Sequence, residues 1–256
     1  LERGGNAFDA AVAAGFTLQV VEAHLNGPAG DVPIILHSAR ERRQHVICGQ
    51  GPAPARATVA HFRDALGLDL VPGTGLLPAV VPGAFDAWML MLRDHGTITV
   101  AEALAPAIGY ARDGMPVVPR ISATIATMQP LFEQEWTSSA AVFLPGGAVP
   151  APGSLFRNPA LAETYARIVR EAEAAGSDRV AQIEAARAAW YRGFVAEAID
   201  RFVRTEEMMD VTGRRNRGVL SADDLARWQA RYEAPLAYDY HGVTVLKPGP
   251  WSQGPA

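Results

Sequence analysis

The longest nearly uninterrupted apolar stretch of the sequence covers residues 7–21, where only Asp9, Thr17 and Gln19 are polar. Asn6 is a good N-cap, and Asp9 lies three residues later, which is the spacing of a capping box. A helix that is apolar on nearly every face is typical of a buried helix. The pattern therefore predicts a capped helix over 7–21 that is buried on almost all sides.

Caps, turn residues and hydrophobic periodicity predict the other elements. The predicted helices cover 55–66, an amphipathic 83–94, 99–113, 119–128 or beyond, 159–175, a stretch from 179 through 199, and 222–228. The predicted strands cover 32–37, 44–49, 234–240 and 242–246. Strands at both ends with helices between them predict an α+β fold, in which the two β regions could meet in one sheet.

Composition narrows the classes of function. The chain has 256 residues, 49% of them hydrophobic, and a net charge of −4, so it can bury a large core and offers no basic face for nucleic acid. Lys247 is the only lysine, which excludes lysine-based phosphate loops as the basis of function. Cys48 is the only cysteine, so no internal disulfide is expected. No apolar run reaches the roughly 18 residues of a membrane span.

Familiar catalytic motifs are not found. The six histidines lack metal-ligand spacing and are expected on the surface or in loops. The Gly49-x-Gly51 pair is followed by Pro52, unlike a dinucleotide-binding fingerprint. There is no Gly-x-Ser-x-Gly elbow. The sequence therefore predicts no catalytic residue, metal site or cofactor in this chain.

Several segments carry a family resemblance. Gly-Gly-Asn-Ala-Phe-Asp-Ala-Ala-Val-Ala-Ala at 4–14 resembles the start of the large subunit of γ-glutamyltranspeptidases and their acylase relatives. Further segments resemble the same family in the same order, at 81–83, 104–108, 158–164, 191–199, 218–225 and 240–254. Together they span nearly the whole chain.

The resemblance implies a four-layer αββα sandwich of the N-terminal-nucleophile hydrolase type, of which this chain would be the helix-rich large-subunit part. It implies a precursor that cleaves itself, and a new N-terminal threonine that forms an acyl-enzyme. Residues 1–256 would then be a single, incomplete domain, with the true N-terminus and the nucleophile-bearing small subunit outside the chain. The implied partners are that small subunit and a small-molecule amide.

The resemblance also implies one substrate contact. The family segment Asp-Gly-Arg-Glu-x-Ala-Pro, whose arginine holds the substrate α-carboxylate, aligns with 48–54, and Gln50 stands at the arginine position between Gly49 and Gly51. Glutamine donates hydrogen bonds but has no charge, so roughly ten- to a hundredfold in affinity could be lost. The missing charge could come from one of four arginines, Arg40, Arg42, Arg43 or Arg56.

These features predict a divergent, acylase-like amidohydrolase or acyltransferase that transfers a γ-glutamyl or glutaryl-like group to water or an amine. The alternative is a catalytically inactive family member that acts as a binding or interaction protein. The acceptor and the oligomeric state are not specified by the sequence. Neither is the compartment, although the single cysteine and the lack of a visible signal sequence favour the cytoplasm.

Overall fold

The computed structural model describes residues 1–2 and 4–254. Its α-helices are α1 (Ala7–Val21), α2 (Ala84–His95), α3 (Val100–Asp113), α4 (Pro119–Gln134), α5 (Thr137–Phe143), α6 (Pro159–Ala174), α7 (Arg179–Tyr191), α8 (Phe194–Thr205) and α9 (Ala222–Arg227). Its strands are β1 (Val32–Ser38), β2 (Arg43–Gly49), β3 (Met115–Pro116), β4 (Leu155–Phe156), β5 (Met208–Met209), β6 (Arg215–Asn216), β7 (Arg231–Glu233), β8 (Leu236–Tyr240) and β9 (Val243–Lys247). The α+β class is confirmed.

One three-stranded antiparallel sheet, in the order β1–β2–β7, carries the longest strands of the described chain. The other strands form two-stranded pairs, β3–β4, β5–β6 and β8–β9. In the described residues, the predicted C-terminal strands over 234–246 do not join this sheet, and β7, which lies just before them, does. The predicted C-terminal strands β8 and β9 form an exposed hairpin instead, with Tyr238 70% and Val243 63% exposed. The tight turn at His241 and Gly242, both with positive φ, pairs these strands with each other.

The first helix matches its predicted bounds and cap. The Asn6 side chain accepts from the N–H groups of Phe8 and Asp9, and the Asp9 carboxylate accepts from the Asn6 N–H. The prediction of burial on nearly every side was wrong. Val12 and Phe16 are fully buried, whereas Leu18 is 46% exposed. The uncovered face is rich in alanine, so sequence apolarity overstated the packing around this helix.

Helix α2 lies at the centre of the main core. It contacts α1, α7 and strands β1 and β2. The Phe85 ring stacks on Trp190 at 4.4 Å between centroids and meets Phe16 edge-on at 5.5 Å. Elements on several sides therefore bury more of α2 than the predicted single apolar face, and they bury the Asp86 carboxylate as well.

Two other helical predictions were wrong in extent. The stretch 55–66 is mostly irregular and ends in a single π-helical turn at His61–Ala65. The helical stretch predicted from 179 through 199 divides into α7 and α8 at Gly193, whose φ of −111° and ψ of −149° are not helical. A second, smaller apolar cluster, with Ile121, Phe132 and Phe156, joins α4 to the β3–β4 pair.

Candidate functional site

Gln50 directly follows β2 and is exposed, while Gly49 and Gly51 on either side are buried. A Cβ at Gly49 would lie 2.4 Å from the Val32 carbonyl oxygen, and one at Gly51 would lie 1.9 Å from the Val81 carbonyl oxygen. Neither distance is possible for a real side chain. The two glycines therefore allow close backbone packing on both sides of Gln50.

Gln50 lines a surface cavity of about 440 Å³. Cys48 and Gly51 lie beside it on the β2 side, and Trp228, Gln229 and Arg231 come from the segment between α9 and β7. Trp251 also contributes to the wall. The cavity therefore joins two parts of the chain that are about 180 residues apart.

Among the described residues that line this cavity, Arg231 is the charged one, and it was not predicted from the sequence. It pairs with Cys48 in the antiparallel β2–β7 register. Its Nε donates to Glu233 Oε1 at 2.9 Å, and Trp251 Nε1 donates to the other carboxylate oxygen at 2.6 Å. A sequence feature that could have indicated this placement is the alternation Arg231-x-Glu233, because residues two apart lie on one face of a strand. The strand predicted from the sequence began at residue 234, so Arg231 and Glu233 were not assigned to a strand.

The four arginines considered as substitutes for the missing charge do not reach this cavity. Arg40 and Arg42 lie in the turn between β1 and β2, and Arg43 begins β2. Gln50 follows the other end of this seven-residue strand, roughly 20 Å away. Arg56 lines a different cavity, together with His61 and Arg217. Their proposed role at position 50 is therefore wrong.

Cys48 is buried beneath the cavity, with 6% of its surface exposed. Burial raises the pKa of its thiol above the ordinary value. The thiol therefore stays protonated at neutral pH and is a poor nucleophile, because the thiolate is the reactive form. Cys48 packs the floor of the cavity.

A buried ion pair anchors the segment that carries Arg231. The Asp86 carboxylate accepts from the Arg187 guanidinium at 2.5 and 2.9 Å and from the Ala230 backbone N–H at 2.6 Å. The Tyr191 hydroxyl, which donates to the Pro82 carbonyl, accepts from the Asp86 N–H. Because Ala230 directly precedes Arg231, this network holds the start of β7 against the core.

The described structure also bears on the histidines, on metal binding and on membrane spans. His45 is buried in β2, contrary to the expected surface position, with Nε2 2.7 Å from Glu41 Oε2. In the described residues, no three His, Cys, Asp or Glu side chains are grouped so that they could hold a metal ion. Within the same part of the chain, no helix is both long and apolar enough to span a bilayer.

Comparisons with known proteins assign the family. The profile described as Gamma-glutamyltranspeptidase matches residues 1–256. An Oxamate amidohydrolase proenzyme from Klebsiella pneumoniae is 32% identical over 261 aligned positions, which cover 99% of this chain and 44% of that protein. The chain spans less than half the length of the first curated relatives it matches, 43% and 44%.

Solved structures agree with this assignment. LmbA2991HD superposes with a TM-score of 0.95 at 58% identity and covers 99% of this chain and 43% of the other. The Helicobacter pylori γ-glutamyltranspeptidase superposes with a TM-score of 0.81 at 27% identity, over 98% of this chain and 65% of the other. The fold is therefore that of these N-terminal-nucleophile hydrolases. The chain belongs to the γ-glutamyltranspeptidase family.

Proposed function

We propose that this chain is the large-subunit part of a self-processing amidohydrolase or acyltransferase. In this proposal an N-terminal threonine outside the chain attacks the substrate amide, with its own α-amino group as base, and forms an acyl-enzyme. The acyl group, γ-glutamyl or glutaryl-like, then passes to water or to an amine. The observation that carries the proposal is the family match over the whole chain, supported by a relative named as a proenzyme.

The proposed partner is a small subunit from the same precursor, which would complete the domain formed by residues 1–256. The β8–β9 hairpin supports this part of the proposal. An isolated two-stranded hairpin is marginally stable in water, and this one exposes apolar side chains such as Tyr238 and Val243. Further strands or a covering layer would bury these side chains.

The proposed acyl-binding site is the cavity at Gln50, with Gly49 and Gly51 holding the backbone around it. Gln50 can donate two hydrogen bonds through its amide nitrogen, but it cannot form the charged, bidentate fork of an arginine with a carboxylate. We therefore expect weaker binding of the γ-glutamyl α-carboxylate than a position-50 arginine would give, by roughly ten- to a hundredfold.

Hydrolysis of two anilides by the full-length processed protein tests this site. The kcat/KM for γ-glutamyl p-nitroanilide and for glutaryl p-nitroanilide is measured for the wild type and for Gln50→Arg. Gln50→Arg is expected to raise the γ-glutamyl value by roughly ten- to a hundredfold. Gln44→Arg, an exposed substitution in β2 far from the cavity, is the matched control. Equal γ-glutamyl hydrolysis by the wild type and Gln50→Arg would contradict the proposed role of position 50.

A further inference from the structure

We propose that Arg231 supplies the positive charge of the Gln50 cavity and binds the terminal carboxylate of an anionic acyl group. The inference rests on the proposed function, and it names a charged residue of the same cavity beside the uncharged Gln50. It assigns to the cavity a substrate class, amides whose acyl chain ends in a carboxylate.

The strand register and the cavity wall bring Arg231 close to the end of β2. Cys48 lies directly opposite Arg231 in the antiparallel β2–β7 pair. Side chains of directly opposite residues point to the same face, and so do residues two apart along a strand. Gln50 directly follows the end of β2, and both Gln50 and Arg231 line the cavity. The cavity therefore has a charged side chain from β7, and neighbouring strands such as β2 and β7 lie roughly 5 Å apart.

The Arg231 guanidinium has donors to spare. Its side chain is 71% exposed and uses Nε for the ion pair with Glu233. Its two Nη groups form no hydrogen bond with any part of the chain that the structure describes, residues 1–2 and 4–254. Arginine stays charged at every relevant pH and binds carboxylates through paired N–H donors. The free Nη groups are thus available to a substrate carboxylate.

Glu233 orients this donor group without filling the cavity. One of its carboxylate oxygens accepts from Arg231 and the other from Trp251, so the carboxylate is held at both oxygens. Arg231 and Trp251 line the cavity, whereas Glu233 is not part of its wall. The arginine is therefore part of the cavity wall, whereas the carboxylate that binds its Nε is not.

The test compares two acyl chains of equal length in the full-length processed protein. Glutaryl p-nitroanilide ends in a carboxylate, and valeryl p-nitroanilide ends in a methyl group. Arg231→Gln is expected to lower kcat/KM for the glutaryl substrate by roughly ten- to a hundredfold and to change the valeryl value by less than about twofold. Arg231→Lys, which keeps the charge but loses the fork, is expected to recover part of the loss. Arg227→Gln, at an exposed arginine of α9 outside the cavity, is the matched control.

Binding of free glutarate, measured by calorimetry, gives a readout that does not depend on turnover. We expect Arg231→Gln to weaken it by roughly tenfold or more. An unprocessed protein that turns over neither anilide but binds glutarate through Arg231 would contradict the proposed function and support the site. A processed, active protein in which Arg231→Gln changes both substrates equally, or neither, would overturn the inference, and so would a protein that neither hydrolyses these anilides nor binds glutarate.

Discussion

Asp86 and Arg187 form a bidentate ion pair inside the main core, with Arg187 Nε 2.5 Å from Asp86 Oδ1 and Nη2 2.9 Å from Oδ2. Asp86 is 2% and Arg187 8% exposed. The pair links α2 to α7, and the Asp86 carboxylate extends the link to Ala230 at the start of β7. One buried carboxylate therefore connects the core to the strand that carries Arg231.

Asp86→Ala is expected to destabilise the protein by about 3–5 kcal/mol, because it leaves the Arg187 charge buried without its main partner. The Ala230 N–H also loses its acceptor. Urea denaturation of the full-length protein measures the change in the free energy of unfolding. Asp113→Ala, which removes an exposed ion pair with Arg112, is the control and should leave the midpoint unchanged. A similar midpoint for both variants would contradict a structural role for the buried pair.

Asp9 makes stability depend on pH. Burial raises the pKa of Asp9, but hydrogen bonds from Thr97 and from the Asn6 and Ile98 N–H groups outweigh burial and hold the pKa below its ordinary value. The pKa of an aspartate in the unfolded chain is about 3.9. At pH values above this, a carboxylate whose pKa is lowered in the folded state stabilises the fold. This stabilisation is lost as the pH falls through the folded-state pKa.

Asp9→Asn is therefore expected to cost about 1–3 kcal/mol near neutral pH, and this difference from the wild type should shrink as the pH falls below about 4. The measurement is the free energy of unfolding of both proteins across pH 2.5–7, using roughly half-unit steps. Asp69→Asn, at a side chain that is 97% exposed, is the control for general acid effects. A difference that stays constant with pH would show that the Asp9 charge does not contribute.

Gly51→Ala tests the close packing beside Gln50. A Cβ there would lie 1.9 Å from the Val81 carbonyl oxygen, a backbone atom that cannot move aside cheaply. The expected cost is about 3 kcal/mol or more, measured by urea denaturation. Gly109→Ala, inside α3 with open space around its Cβ, should instead stabilise the protein by about 0.5–1 kcal/mol. A mild effect of Gly51→Ala would contradict close packing of Gly51 against the Val81 carbonyl.

Tyr165→Phe removes a buried hydrogen bond between helices. The Tyr165 hydroxyl donates to Gln19 Oε1 at 2.5 Å, and both side chains are buried. The expected loss is about 1–3 kcal/mol, because the Gln19 oxygen is left without this donor. Adding Gln19→Leu should recover part of the loss by making both sides apolar. The half-exposed Tyr110→Phe serves as control, and an equal effect of Tyr110→Phe and Tyr165→Phe in thermal unfolding would contradict the prediction.

Local features were predictable from the sequence because the interacting groups are close along the chain. The capping box predicted for α1 forms, and α3 and α9 begin with boxes of the same spacing, since each depends on side chains and N–H groups three residues apart. The helix predicted over 55–66 does not form as expected, because intrinsic propensity is a weak guide where packing decides the conformation.

The candidate site was only half predictable. Gln50 was predicted from a motif that is contiguous in sequence. Arg231 lies in a strand of three residues, and its position beside β2 depends on a strand register that only the folded sheet defines. Short strands have little hydrophobic periodicity, so the pairing of β7 with β2 had no sequence signal of comparable strength. The roles of Gln50, Gly49 and Gly51 in substrate binding stay predictions.

Self-processing is the central claim, and intact-mass spectrometry of the purified full-length protein, with N-terminal sequencing of the products, tests it most directly. We predict two fragments, a larger one that contains this chain and a smaller one that begins with threonine or serine. A single uncleaved polypeptide would contradict the claim and favour an inactive family member that acts in binding.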